Sequence, residues 1–265
     1  MRILIILGFF FFVTFLSLFN FNSTTSPANK NKGAIAFTFD DSCIEEWFHY
    51  KDLFTKYDIK ATFFIDRPYL LDSTQINKLK ILQKDGHEIA CHGYNHLNAL
   101  NFVNSINTYI TQEVEPAIDI LTEQGFEITS FAFPFGKSTP EIEAAVSKYF
   151  TSIRKATWNY NHSTLNTYNE IFASKDSYNI IDAMGIDMNF QITLKNIKVG
   201  IQRAKEKNEV LILYSHQIST TGDKYYITPT YLENIFKLCK EKEIKTIRMR
   251  DLDIFFKENK NQVKN

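Results

Sequence analysis

From Gly33 onward, hydrophobic and polar positions fall into blocks whose spacing switches between that of a strand and that of a helix. Short apolar runs, several without a polar alternate, predict strands at Ala34–Thr38, Ala61–Ile65, Glu88–His92, Ser130–Pro134, Thr151–Arg154, Glu209–Ser215 and Lys245–Met249. Such runs suit strands covered on both faces. Longer amphipathic segments between them predict helices over Glu45–Tyr57, Ser73–Asp85, Asn101–Gln124 and Thr193–Lys207, and from Pro229 to about Glu243. Ser73 is the expected N-cap of its helix. Thr139-Pro140 and Thr228-Pro229 each place a cap residue before a proline at the first helical position, and Gly125 supplies a C-terminal stop. The stretch from Trp158 to Met188 shows no clear period. Strand–helix alternation implies parallel strands with crossover helices, as a closed barrel or an open α/β sheet. In both, functional groups collect beyond the C-terminal ends of the strands.

Those ends carry the chemically potent residues. The first strand runs into AIAFTFDDSC, where Asp40 and Asp41 stand side by side. Adjacent carboxylates repel, and burying either one unpaired is costly, so a bound cation is the simplest compensation. His92 and His96 lie at and just after the end of the third strand in CHGYNH, Phe133–Gly136 (FPFG) follows the fourth, and His216 follows EVLILYS. Two histidines four apart can face one cation if the segment is helical. The pair lacks the glutamate of an HExxH pattern, so a base must come from elsewhere. With one aspartate from a neighbouring strand end the set becomes His₂Asp, three ligands with room for water, which is the arrangement of a catalytic zinc site.

Composition narrows the setting. The 265 residues are 44% hydrophobic, enough for one domain of barrel size, and most of the 24 phenylalanines are expected in its core. A formal net charge of zero, with no basic run, argues against a nucleic-acid partner. Arg2 precedes an apolar run from Ile3 to Phe19, followed by the polar NSTTSPANKNKG. Residues 1–22 therefore read as a secretory signal or an uncleaved membrane anchor, with a polar linker over 23–32, a folded domain over 33–256 and a polar, frayed tail over 257–265. Export is the expectation, to the periplasm, cell envelope or exterior. Three cysteines are too few for a disulfide framework, and at least one thiol stays unpaired. Strand alternation turns Cys91 away from His92, whereas Cys43 follows the turn at Asp41 and could approach the site.

TFDD (Thr38–Asp41), HGYNH (His92–His96), FPFG (Phe133–Gly136) and LYSH (Leu213–His216), in this order over residues 33 to 255, resemble the motifs of the polysaccharide deacetylases of the NodB-homology type (carbohydrate esterase family 4). The resemblance implies a distorted (β/α) barrel of about seven parallel strands, and metal-dependent removal of acetyl groups from an acetylated polysaccharide or oligosaccharide by a monomer. It assigns Asp40 as base, Asp41, His92 and His96 as ligands of one divalent ion, and His216 as acid. Zn²⁺ is the expected ion, with Co²⁺ or Mn²⁺ as substitutes. Leu213 would line the acetyl-methyl pocket, and the Phe135 backbone N–H would hold the oxyanion.

Several positions depart from the family pattern. Ser42 replaces a glycine, Gly93 replaces the Ser or Thr whose hydroxyl would steady the metal loop, and Ala132 stands where many members carry a base-orienting arginine. Arg154 is the candidate substitute. The family's aspartate–tryptophan motif is not recognisable; Trp158 is the nearby candidate for substrate contact. His87 is expected to pack, His49 and His162 to lie at the surface, and Lys237–Lys245 to form a solvated helix face. An N-acetylglucosamine polymer is the leading substrate class. O-acetylated xylan is the alternative on the same site, and a glycan-binding member without catalysis is the alternative of a different class.

Overall fold

The computed structural model describes residues 33–262 except 159, 162 and 223, so the segments 1–22 and 23–32 and His162 lie outside the described residues. Seven strands form a closed parallel ring: β1 (Ala34–Phe39), β2 (Ala61–Ile65), β3 (Glu88–Cys91), β4 (Ser130–Ala132), β5 (Ser152–Ala156), β6 (Ile180–Gly185) and β7 (Val210–Ser215). β1 and β7 close it through six register pairs, from Ala34↔Val210 to Phe39↔Ser215, whereas β3 and β4 meet at the single pair Cys91↔Phe131. That uneven pairing is the distortion of the barrel. Phe172–Ala173 adds an antiparallel strand to β7, and Lys245–Thr246 adds a parallel one to β1.

Both faces of the ring are dry, as the unbroken apolar runs require. Outward residues such as Ile35, Phe37, Phe39, Phe63 and Phe131 pack under the surrounding helices. Inward positions are mostly small: Ala34, Ala36, Ala90, Ala132, Ala156 and Ala183 line the interior with Phe64, Ile212 and Tyr214. Met249, Leu252, Phe255 and Phe256 join this inner cluster from the C-terminal segment. Ser152 Oγ donates to Met249 O, and Met249 N donates to Thr62 Oγ1, so the segment closes the end where the strands begin. The opposite end is left for chemistry.

Several predicted elements change on folding. The helix expected over Glu45–Tyr57 divides into Ile44–His49 and Lys51–Lys56, each half with its own anchor, Trp47 and Phe54. Asp72, not Ser73, caps the helix Ser73–Lys84, because Asp72 and Gln75 exchange side-chain-to-backbone hydrogen bonds in a capping box. The segment Asn101–Gln124 resolves into a 3₁₀ turn (Ala99–Phe102), a helical turn (Ile106–Tyr109), a π-helical stretch (Ile110–Val114) and an α-helix (Glu115–Glu123). Pro116 has no N–H to send to Gln112 O, and that carbonyl accepts from Asn95 Nδ2 instead. The last strand ends at Thr246, and the helix Leu252–Gln262 runs on into the stretch expected to be a polar tail. No helix among the described residues is long and apolar enough to cross a membrane.

Candidate active site

The alternation of β1 sends residues 34, 36, 38 and 40 inward, so Asp40 is buried at the mouth of the barrel. At Asp41 the backbone leaves the strand in a left-handed conformation (φ 68°), which lets its side chain reach the same mouth rather than the opposite face. Ser42 is left-handed too (φ 49°), and its Oγ offsets that cost by bonding both Asp66 O (2.9 Å) and Asp66 N (3.0 Å). The position therefore tolerates a residue other than glycine.

Asp41 Oδ1 lies 3.3 Å from His92 Nε2 and 3.2 Å from His96 Nε2, and one ligand atom from each residue falls within 4.8 Å of the others. His92 Nδ1 is 2.8 Å from Ala132 O; a carbonyl can only accept, so Nδ1 carries a proton and Nε2 faces the centre, donating to Asp41 when the ring is charged and open to a cation when it is neutral. The histidines do not converge along a helix. HGYNH is a loop, and left-handed backbone at Gly93 (φ 91°) and His96 (φ 60°) folds the second ring back over the first. Burial alone would raise the Asp41 carboxyl; hydrogen bonds from both histidines and the charges of His92 and His216 hold it far below the ordinary carboxylate range. A tight His₂Asp set of this kind suits a divalent cation.

Each group beside the triad has a fixed partner. Arg154 Nη2 donates to both Asp40 oxygens, at 2.6 and 2.5 Å, while its guanidinium sits between the rings of Phe64 (5.2 Å) and Tyr214 (5.0 Å). Arg154 is the register partner of Ala132, so the small residue on β4 leaves the space that the arginine of β5 fills. On the other side, His216 Nδ1 bonds Asp187 Oδ2 at 2.7 Å, and Asp187 Oδ1 accepts from Ser215 Oγ and the His216 N–H. Burial opposes protonation of His216, but that bond and the charges of Asp187, Asp40 and Asp41 lift it to about 9. Trp47 Nε1 donates to His216 O at 2.8 Å and fixes the backbone there. Phe135 is left-handed (φ 61°) and half exposed, with its ring 4.9 Å from that of His96. Asp40, Arg154, His216 and Phe135 line a cavity of about 130 Å³ together with the triad, walled also by Trp158 and Tyr225.

The polysaccharide deacetylase profile matches residues 28–153 of this sequence. Over that stretch the chain is similar to the polysaccharide deacetylases, and the match supports that family. It is 26% identical over 127 residues to a gellan lyase from Bacillus sp.; the match covers 48% of this chain but 5% of the lyase, so the chain spans a small fraction of that relative's length. Among solved structures it resembles the peptidoglycan deacetylase PdaC from Bacillus subtilis at 16% identity, covering 89% of this chain and 96% of that one, with a TM-score of 0.55. It also resembles a family 4 acetyl xylan esterase from Clostridium thermocellum, solved with a cobalt ion, at 17% identity over 82% of this chain and 89% of that one, with a TM-score of 0.50. At these identities the likeness concerns the fold.

In this chain, Leu213 is not where the motif suggested. It is buried under the helices on the outer face of β7, and the adjacent Tyr214 faces the cavity. Trp158 is half exposed on the cavity wall, with Lys137 Nζ 5.3 Å from its ring. Cys91 is buried in the outer core, and Cys43 Sγ donates to Asp41 O at 3.6 Å without joining the ligand set. His87 accepts from Ala61 N and is pushed down to about 4 by burial and the charges of Lys60 and Arg248; it packs far from the ligands against Phe54 and Phe63. His49 is exposed, as expected of a surface residue.

Sequence reasoning missed Asp187, Trp47, Tyr214 and Tyr225. Asp187 had a signal. It follows β6 as Asp40 follows β1, and reading Ile180–Gly185 as a strand would have exposed it.

Proposed function

We propose that the protein is a metal-dependent hydrolase that removes N-acetyl groups from an N-acetylglucosamine-containing polysaccharide. One observation carries this reading: the His₂Asp set is flanked by a carboxylate held by an arginine and a histidine held by an aspartate, all facing one cavity. Asp41, His92 and His96 would hold the divalent ion, Zn²⁺ by the chemistry of the donor set, which when bound acidifies water and polarises the acetyl carbonyl. Asp40, aimed by Arg154, takes the proton of the attacking water. The backbone N–H of Phe135 meets the charge developing on the carbonyl oxygen. His216 gives its Nε2 proton to the departing amine while Asp187 holds Nδ1–H and stabilises the imidazolium form. Trp158 and Tyr225 offer aromatic faces to the sugar rings on either side of the cavity.

The same groups cleave an acetate ester, with an alcohol leaving in place of the amine, and the likeness to an acetyl xylan esterase supports that second reading. Export of the chain, with residues 1–22 as signal or anchor, belongs to the same proposal, since the polymer lies outside the cell. The test is acetate release from N-acetylglucosamine oligomers and from acetylated xylan, with chelated and Zn²⁺-loaded protein beside Asp40→Asn. Release that needs both metal and Asp40 supports catalysis, and the preferred polymer decides between amide and ester. Binding of either glycan with no release by loaded protein would leave a carbohydrate-binding module in place of an enzyme.

A further inference from the structure

The loop that carries His96 is held by a residue outside every motif. Asn95 N donates to Glu113 Oε1 at 2.8 Å and Leu97 N donates to Glu113 Oε2 at 3.0 Å, so one carboxylate grips the amides on both sides of His96. Glu113 is fully buried. Its main chain takes part as well: Tyr94 N donates to Glu113 O at 2.9 Å, beside the bond from Asn95 Nδ2 to Gln112 O. Those two carbonyls lie in the helix around Pro116, where the regular ladder is open. His96 is left-handed between its two gripped neighbours, a conformation uncommon outside glycine that the two bonds hold in place.

Gly93 completes the arrangement. A Cβ on Gly93 would stand 2.6 Å from Glu113 Oε2, too close for both to remain in place. The residue that removes a hydroxyl from the metal loop is thus the one that makes room for the carboxylate. We propose that Glu113 is a positioning residue of the metal centre, setting the backbone of His96 so that its Nε2 meets Asp41 Oδ1 beside His92 Nε2. This rests on the reading of Asp41, His92 and His96 as ligands.

The test uses the full chain, stripped of metal and titrated with Co²⁺, with the visible absorption of the bound ion as readout and a Zn²⁺ competition for affinity. Glu113→Gln keeps the shape but presents an NH₂ where one amide needs an acceptor; its affinity should fall roughly 10–100-fold, the cost usual for partners that orient a ligand. Gly93→Ala pushes on the same carboxylate from the other side and should weaken binding to a similar degree. Leu121→Ala, a buried truncation on the same helix, should lower the melting temperature of the metal-free protein while leaving affinity unchanged. Wild-type affinity in Glu113→Gln overturns the proposal, as does an equal loss in Leu121→Ala, which would reduce Glu113 to a structural part. If the wild type binds neither ion, the ligand assignment itself fails and the positioning role with it.

Discussion

Asp40 and His216 are each paired with a buried group of opposite character, and the pairs differ in what they do. The Arg154–Asp40 pair sets a guanidinium against a carboxylate inside a dry barrel, where a lone charge would be untenable. Arg154→Ala should destabilise the fold by about 3–5 kcal/mol, read by denaturant unfolding, because it strands Asp40. Because Ala132 is the register neighbour of Arg154, Ala132→Arg in that background should recover part of the acetate release. Asp40→Asn or His216→Ala should each reduce turnover on the order of 10²–10⁴-fold with the fold intact by circular dichroism. The Asp187–His216 pair has a pH signature. His216 is raised from 6.5 to about 9 in the folded chain, so its charged form adds stability in full below pH 6.5, and that contribution is lost as pH rises through about 9. Thermal unfolding of metal-free protein should show this decline between those limits. In Asp187→Asn the decline should flatten; an unchanged slope would discount the pair.

At the scale of elements, the site is assembled from strand ends, and that is why so much of it was legible. Asp40, Asp41, His92, Phe135 and His216 all follow runs whose apolar character declares a strand, so the rule that function gathers past such runs located them. Arg154 was harder to judge from its type, since only the register of β5 against Ala132 on β4 turns it inward. Asp187 escaped because its strand, IIDAMG, sits in a stretch without period. The closing helix escaped too, although Leu252, Phe255 and Phe256 have the spacing of a buried face; the lysines and asparagines beyond them outweighed it. The turn after β4 was legible as a motif but not as packing. A Cβ on Gly136, itself left-handed at φ 65°, would come 2.4 Å from Ala156 Cβ and 2.8 Å from its backbone N. Gly136→Ala should therefore cost about 1–3 kcal/mol and displace the Phe135 amide, read as a lower kcat at unchanged metal affinity.

Across the whole molecule, the barrel is closed at one end by apolar side chains and open at the other toward clustered charge. Loading the site with metal should stabilise the folded chain through mass action, by about 2.7 kcal/mol at a free concentration 100 times Kd. For a domain of this size that corresponds to a rise in Tm of roughly 5–11 °C, removable by chelator. Asp41→Asn should abolish the rise.

The π-helical stretch Ile110–Val114 gives the molecule a fixed rotational phase. One residue more than an α-helix would use turns everything before it by about 100° about the axis relative to everything after it. Tyr109 meets Phe102 and Phe133 on one side of that offset, and Leu121 enters the core on the other. Forcing the same residues into a regular α-helix would swing the two halves apart, whereas deleting the exposed Thr111 would restore an ideal spiral with both faces kept, so the phase of this segment rests on one extra residue.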